Sequence, residues 1–238
     1  MLIDTIMSLL RGDHIEIMDF VVQILATMMI LFLVIPIHEF AHGWMANKLG
    51  DPTARLAGRL TLNPLASIDP MGAAALLLVG FGWGRPVPVD SRYFKNYRTG
   101  IAMTALAGPT SNLIAAFAGY FLTNVITFIW SFFPGDAVWV WYILMFLDYF
   151  CWFSIILAVF NLFPVPPLDG SKILMSFLPD RARFWMLKNQ NFLMLGGLIL
   201  LYSDVLDKPL SLIASGISFI LSFVSDLPFM LIYLIMGV

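Results

Sequence analysis

Charge is scarce in this chain. Of its 238 residues only 12% are Asp, Glu, Lys or Arg, while 60% are hydrophobic. Soluble domains carry about twice that charged fraction. The net charge is -2, so no basic surface suggests a nucleic-acid partner. There is one cysteine, Cys151, inside an apolar run. It cannot form an internal disulfide and reads as a small packing residue. Residues 1–19 hold Asp4, Arg11, Asp13, Glu16 and Asp19. They lack the basic start, apolar middle and small-residue cleavage site of a signal peptide, and read as an interfacial segment. Histidine and glutamate are also scarce, with His14, His38, His42, Glu16 and Glu39 the whole supply.

What is present is long apolar sequence. Candidate membrane spans cover residues 20–45, 101–133, 138–162, 192–202 with flanks, and 210–236. A crossing helix needs roughly 20 apolar residues. The expected fold is an all-α polytopic membrane protein of about five to six transmembrane helices. We divide it into the segment 1–19, a catalytic core at 20–178 with three core helices, and C-terminal helices at 179–238. A glycine-rich stretch, 71–83, is too short to span and reads as re-entrant. It lies between two strand-like pieces, 59–62 and 85–90, the second with alternating prolines that suit an edge strand.

Eleven of the thirteen Lys and Arg residues lie in two of the inter-span connections, Lys48 through Arg98 and Lys172 through Lys188. The turn Pro134-Gly135-Asp136 has none. The positive-inside rule makes the charged side cytoplasmic. Trp130, Trp139 and Trp141 flank the uncharged turn as interface anchors.

Three of the five rare residues form one motif at the end of the first span, His38-Glu39-Phe40-Ala41-His42. Ionisable groups at membrane depth are costly, so they mark function by default. Four positions apart on a helix, His38 and His42 project from one face and can hold one metal ion. Glu39 is placed as general base for an attacking water. Pro36, within a turn of His38, predicts a bend or local unwinding.

Two histidines leave a catalytic zinc one protein ligand short. His14 precedes the first span on the opposite side, so a carboxylate is expected. Asp169 ends the string Asn161-Leu162-Phe163-Pro164-Val165-Pro166-Pro167-Leu168-Asp169-Gly170, where three prolines break the third span on the charged face. Asp148, a few turns from the opposite end and expected to be buried, ranks below it.

With these motifs together the chain resembles the site-2 proteases, membrane-embedded zinc metalloproteases that cleave within transmembrane segments. The matching residues are the HEFAH motif, Gly108-Pro109-Thr110-Ser111-Asn112, and Asn161 through Gly170. Gly50-Asp51-Pro52, Leu62-Asn63-Pro64 and Gly84-Arg85-Pro86-Val87-Pro88-Val89 resemble the small, compact branch, without PDZ or CBS domains. That branch often has histidine where Ser67 stands. The resemblance implies one Zn2+ held by His38, His42 and Asp169, Glu39 as base, and Asn112 and Asn161 lining the site for the substrate backbone or oxyanion. It implies a single-span membrane protein as substrate and a bacterial or archaeal cell membrane as location. An unwound substrate could pair, as an added strand, with Pro86, Val87, Pro88 and Val89. A metal or proton transporter, or a non-proteolytic scaffold on the same fold, are the competing readings. A single ionisable cluster without a second broken-helix repeat disfavours the first, and the intact Glu39 disfavours the second. Substrate identity and oligomeric state are not encoded in these patterns.

Overall fold

The computed structural model describes residues 24–79, 82–133, 138–203 and 205–236. The interfacial segment 1–19 and the turn Pro134-Gly135-Asp136 lie outside these residues. Among the described residues four helices are long and apolar enough to cross a membrane: Ile24–Lys48, Tyr97–Trp130, Val138–Asn161 and Asp207–Ile235. The expected span at 192–202 is a helix of only 13 residues, Gln190–Tyr202. The chain divides into two compact units, Met1–Gly100 and Ile101–Val238.

The first unit begins with the Ile24–Lys48 span. Its middle, Ile30–Val34, is a π-helical turn, and the α-helical part that follows is α1, Ile35–Lys48. Pro36 lies in the first turn of α1. Proline has no N–H to complete the preceding helical ladder, and the wide turn just before it takes up the mismatch. The expected irregularity is therefore present, on the N-terminal side of the proline.

After α1 come short helices α2 (Thr53–Leu56), α3 (Pro64–Ser67) and α4 (Pro70–Val79). Two of them start by the same device. Asn63 Oδ1 accepts the Leu65 N–H at 3.1 Å and Asp69 Oδ1 accepts the Gly72 N–H at 2.9 Å, each with a proline next in sequence. A capping side chain followed by proline at the first helical position is a favourable start. The strands expected at 59–62 and 85–90 are absent among the described residues. Around 61–63 the backbone donors turn to side chains, with Thr61 Oγ1 accepting the Asn63 N–H at 3.1 Å, and such local bonds compete with a ladder. At 85–90 two prolines remove every second donor. What remains is one antiparallel bridge, Ile68 with Gly84, and the Arg85 N–H bonded to Ser67 O at 2.8 Å. This clasp closes the base of a hairpin holding α4. Gly72 passes the backbone of Trp83, and Gly82 that of Gly72, so closely that a Cβ at either would overlap it, which explains these two glycines of the 71–83 stretch.

The second unit contains most of α5 (Tyr97–Trp130), α6 (Val138–Asn161), α7 (Asp169–Phe177), α8 (Asp180–Lys188), α9 (Gln190–Tyr202) and α10 (Asp207–Met236). Its core joins α5, α6 and α10 through Ala116, Tyr120, Cys151, Ile155, Val159 and Ala214. Small residues admit close helix contact in lipid, and polar side chains then tie the helices together. Tyr120 Oη and Ser218 Oγ are 2.6 Å apart, Asn124 Nδ2 donates to Ser225 Oγ at 3.0 Å, and the Cys151 thiol donates to Ala116 O at 3.2 Å. Cys151 is fully buried, as its packing role required. Trp139 and Trp141 are exposed, as interface anchors should be. Asp148 is exposed on α6 rather than buried; it shares a helix face with Cys151 and Ile155 of the core, so its position along the helix, and not its face, leaves it open.

Candidate metal centre and its base

The HEFAH motif lies in the middle of α1. His38 and His42 are both buried, at 5% and 8% exposure, inside an otherwise apolar helix. Their Nε2 atoms are 3.0 Å apart and the rings meet edge to face at 85°. The i, i+4 spacing does this directly, because side chains one turn apart stand on the same helix face. Each neutral imidazole carries one acceptor nitrogen, and two ring nitrogens turned to one point form a donor pair suited to a cation. The donor chemistry fits zinc.

Glu39 lies beside them, half-buried. Its Oε2 accepts the backbone N–H of Val87 at 2.8 Å. The residues expected to offer a strand edge thus include one that touches the base. The rest of the segment is equally engaged. Arg85 O accepts from Arg59 Nη2 at 2.7 Å, and the Asp90 N–H donates to Asp51 Oδ2 at 2.7 Å. Asp51 is completely buried and also accepts the Thr53 N–H at 2.9 Å and the Thr53 hydroxyl. Arg59 feels both Arg85 and Glu39. Burial and the like charge of Arg85 lower its pKa, and Glu39 opposes them. At the segment's end, half-buried Asp90 pairs with exposed Arg92 at 2.6 Å, and this partner holds its carboxyl below the usual range. None of Arg59, Asp51 or the Val87 N–H was assigned a role from sequence. The alternating prolines were the available signal, since they leave Val87 as the sole donor among residues 86–88.

In the second unit, Asp169 is the first residue of α7 and is 4% exposed. Its Oδ1 accepts from Lys172 Nζ at 2.9 Å. The prolines at 164, 166 and 167 end α6 as expected, and α7 starts at Asp169, where a carboxylate suits the helix dipole. Gly170 makes the corner possible: a Cβ there would overlap the backbone of Leu162 and Phe163. Asn112, three residues after Pro109 on α5, is completely buried. Asn161 is the last residue of α6 and half-buried, and its Nδ2 donates to Leu157 O in its own helix at 3.0 Å. Ser67, at the position often histidine in the compact branch, is buried and contributes its carbonyl to the Arg85 clasp.

Residues 122–203 match Peptidase family M50. That stretch includes Asn161 and Asp169 but not the HEFAH motif. The chain is 39% identical over 160 residues to "Putative zinc metalloprotease YwhC" of Bacillus subtilis (strain 168), covering 65% of this chain and 70% of that protein. It is 33% identical over 139 residues to "Putative zinc metalloprotease Rip2" of Mycolicibacterium smegmatis, covering 56% of this chain and 50% of the relative. The Rip2 of Mycobacterium tuberculosis strain Erdman is 29% identical over 177 residues, 72% of this chain and 64% of that protein. The match therefore spans about half to two thirds of the mycobacterial proteins. No solved structure matches. Given the identity and coverage shared with the Bacillus protein, and the M50 match across its third apolar helix, the chain belongs to peptidase family M50, the site-2 proteases, and is a multi-pass zinc metalloprotease.

Proposed function

We propose that this chain is an intramembrane endopeptidase that hydrolyses peptide bonds within or beside transmembrane segments of single-span membrane proteins. One observation carries the reading. Two buried histidines with converged nitrogens and an adjacent glutamate lie within a 25-residue apolar helix long enough to cross a bilayer. A soluble substrate would not call for such a site at membrane depth.

His38, His42 and Asp169 are assigned as the metal ligands. They are all buried and form a candidate donor group by chemical type. Zinc, when bound, supplies a Lewis acid that polarises the scissile carbonyl and makes water acidic enough to lose a proton near neutrality. Glu39 takes that proton at its carboxylate and delivers it to the leaving amine nitrogen. Lys172 Nζ donates to Asp169 Oδ1 and so holds the carboxylate at the start of α7. Asn112 and Asn161 are assigned to the substrate backbone or the oxyanion. The Asn161 amide bond to Leu157 O engages a donor, so its side chain must turn, or use its second N–H, to serve there. Pro86, Val87, Pro88 and Val89 are assigned to the substrate's extended backbone. Lacking N–H groups, Pro86 and Pro88 can offer only carbonyl acceptors to an added strand.

The same reading places the metal end of the first span towards the cytoplasm, on the side where eleven of the thirteen Lys and Arg residues fall. It treats 20–178 as the catalytic core and 179–238 as accessory helices. It takes α4 and its clasp as the re-entrant element, and α9 as an element that shares the membrane without crossing it.

The test is co-expression of wild type and Glu39→Gln with epitope-tagged single-span proteins. Wild type should release a fragment cut at the membrane, and Glu39→Gln should retain both zinc and the intact substrate. His42→Ala should lose zinc as well as cleavage. A wild-type protein that cuts soluble chains but no membrane segment overturns the intramembrane reading. Cleavage that persists in Glu39→Gln overturns the role of the glutamate.

A further inference from the structure

The bond between Glu39 and Val87 has a cause that can be traced through the packing. Val87 is buried at 9% exposure. Its side chain rests against Gly43, where an added Cβ would stand 3.1 Å from Val87 Cγ1, 3.3 Å from Ala54 Cβ and 3.4 Å from Leu60 Cδ1. Gly43 is four residues after Glu39 on α1, so the two share a face one turn apart. The extended backbone at residue 87 approaches the carboxylate without crowding because the next turn of the helix carries no side chain; a Cβ there would push Val87 back by a few tenths of an ångström. The approach is then fixed from both sides. Ser67 O holds the Arg85 N–H, Arg59 holds the Arg85 carbonyl, and Asp51 holds the Asp90 N–H. Between these anchors Val87 has the sole N–H of residues 86–88, and it is aimed at Glu39 Oε2.

A carboxylate base has two oxygens, and one fixed by a strong donor dictates where the other points. A hydrogen bond to an ionised acceptor is short and directional. We propose that the Val87 N–H, admitted by Gly43, is the positioning group of the base: it holds Glu39 Oε2 so that Oε1 is presented to the attacking water. The inference rests on Glu39 being the base. It gives the proline-flanked segment a task separate from any pairing with substrate. The prolines limit that stretch to one donor and stiffen it in an extended form. The donor is backbone, so no side-chain substitution at residue 87 except proline deletes it, and Gly43 is the position where the arrangement can be perturbed by ordinary mutation.

Two measurements test this on the full-length protein. The first is the amide signal of Val87 in 15N-valine-labelled protein in lipid nanodiscs, identified by its loss in Val87→Ala. Bonded to a carboxylate, its proton should resonate downfield and exchange slowly. In Glu39→Ala it should move upfield and exchange faster. A signal that ignores Glu39→Ala overturns the proposal. The second is kinetic, with a single-span protein trapped beforehand by Glu39→Gln as the probe. Gly43→Ala should lower kcat by roughly 3- to 10-fold, less than the ~100-fold that a 1 Å misplacement can cost, with KM and zinc content near wild type. Gly43→Ala/Val87→Ala should recover much of the lost kcat, since it removes the Cγ1 that the new methyl strikes. A loss of zinc in step with kcat, or no recovery in the double variant, overturns the proposal in favour of plain packing around His42. A wild-type protein that cleaves none of the membrane proteins offered removes the base role, and the positioning role with it. Failure of the protease reading is then distinguishable from failure of the contact, which the amide signal reports independently.

Discussion

The two compact units of this chain are built by opposite means. The first, up to Gly100, follows one 25-residue span with short helices and extended loops whose backbone groups repeatedly bond to side chains: Val87 to Glu39, Asp90 to Asp51, Leu65 to Asn63, Gly72 to Asp69. The second, from Ile101, is long helices whose backbone bonds are internal and whose side chains supply packing and a few interhelical ties. Irregular backbone in a bilayer is tolerated only where protein or a cavity covers it. A region that must carry a metal site, a base and an extended segment therefore needs internal partners for each freed donor. A scaffold bundle has no such need. The comparison implies that polar substitutions in the first unit should change chemistry, and those in the second, outside Asn112, Asn161 and Asp169, mainly stability.

The sharpest test of that division is Glu39→Gln. Cleavage should fall by about 10²–10⁴-fold or more, with zinc content and thermal midpoint unchanged. Gly170→Ala probes the one place where the second unit contributes a proposed ligand. Overpacking against the Leu162 and Phe163 backbone should cost about 1–3 kcal/mol, seen as a lower unfolding midpoint, together with weaker zinc retention through Asp169. Asp51→Ala leaves the Asp90 and Thr53 N–H groups without their acceptor and should destabilise by about 1–3 kcal/mol. Its kcat should fall further than that of a second-unit variant of equal stability loss outside Asn112, Asn161, Asp169 and Gly170. The smallest effect belongs to Tyr120→Phe, which removes the tie to Ser218. Interhelical bonds in membranes average about 0.6 kcal/mol, and cleavage at saturating substrate should not change. If Tyr120→Phe lowered kcat more than Asp51→Ala did, the division between a chemical unit and a scaffold unit would fail.

Much of this was legible without coordinates, for reasons of periodicity. Helical spacing alone puts His38 and His42 on one face. A proline-broken span end followed by Asp169 marks a carboxylate at a rigid corner, and Cys151 in an apolar run can only pack. The expectations that failed share a cause. The pieces at 59–62 and 85–90 have strand-like composition, but a strand is completed by a partner ladder. Here the Arg59 N–H of the first turns back to Ala54 O, the chain just beyond it bonds to Thr61 and Asn63 side chains, and prolines remove two of the six donors of the second. Asp148 was expected to be buried from its depth in the helix. Asp148 shares the face of Cys151 and Ile155, so its exposure depends on how far along α6 the neighbouring helices pack, which no residue pattern reports. The last long helix matched no motif, yet Tyr120–Ser218 and Asn124–Ser225 make it part of the core bundle.

The sequence by itself determined the class of the molecule, its long apolar helices, the converging histidines and the glutamate beside them, because these depend on local period and residue chemistry. Only the tertiary structure decided that a backbone N–H forty-eight residues away holds that glutamate, and that Gly43 makes room for it. Such a contact depends on where a loop returns to a helix, and backbone donors are the same in every residue but proline, so no pattern of side chains announces which one will arrive.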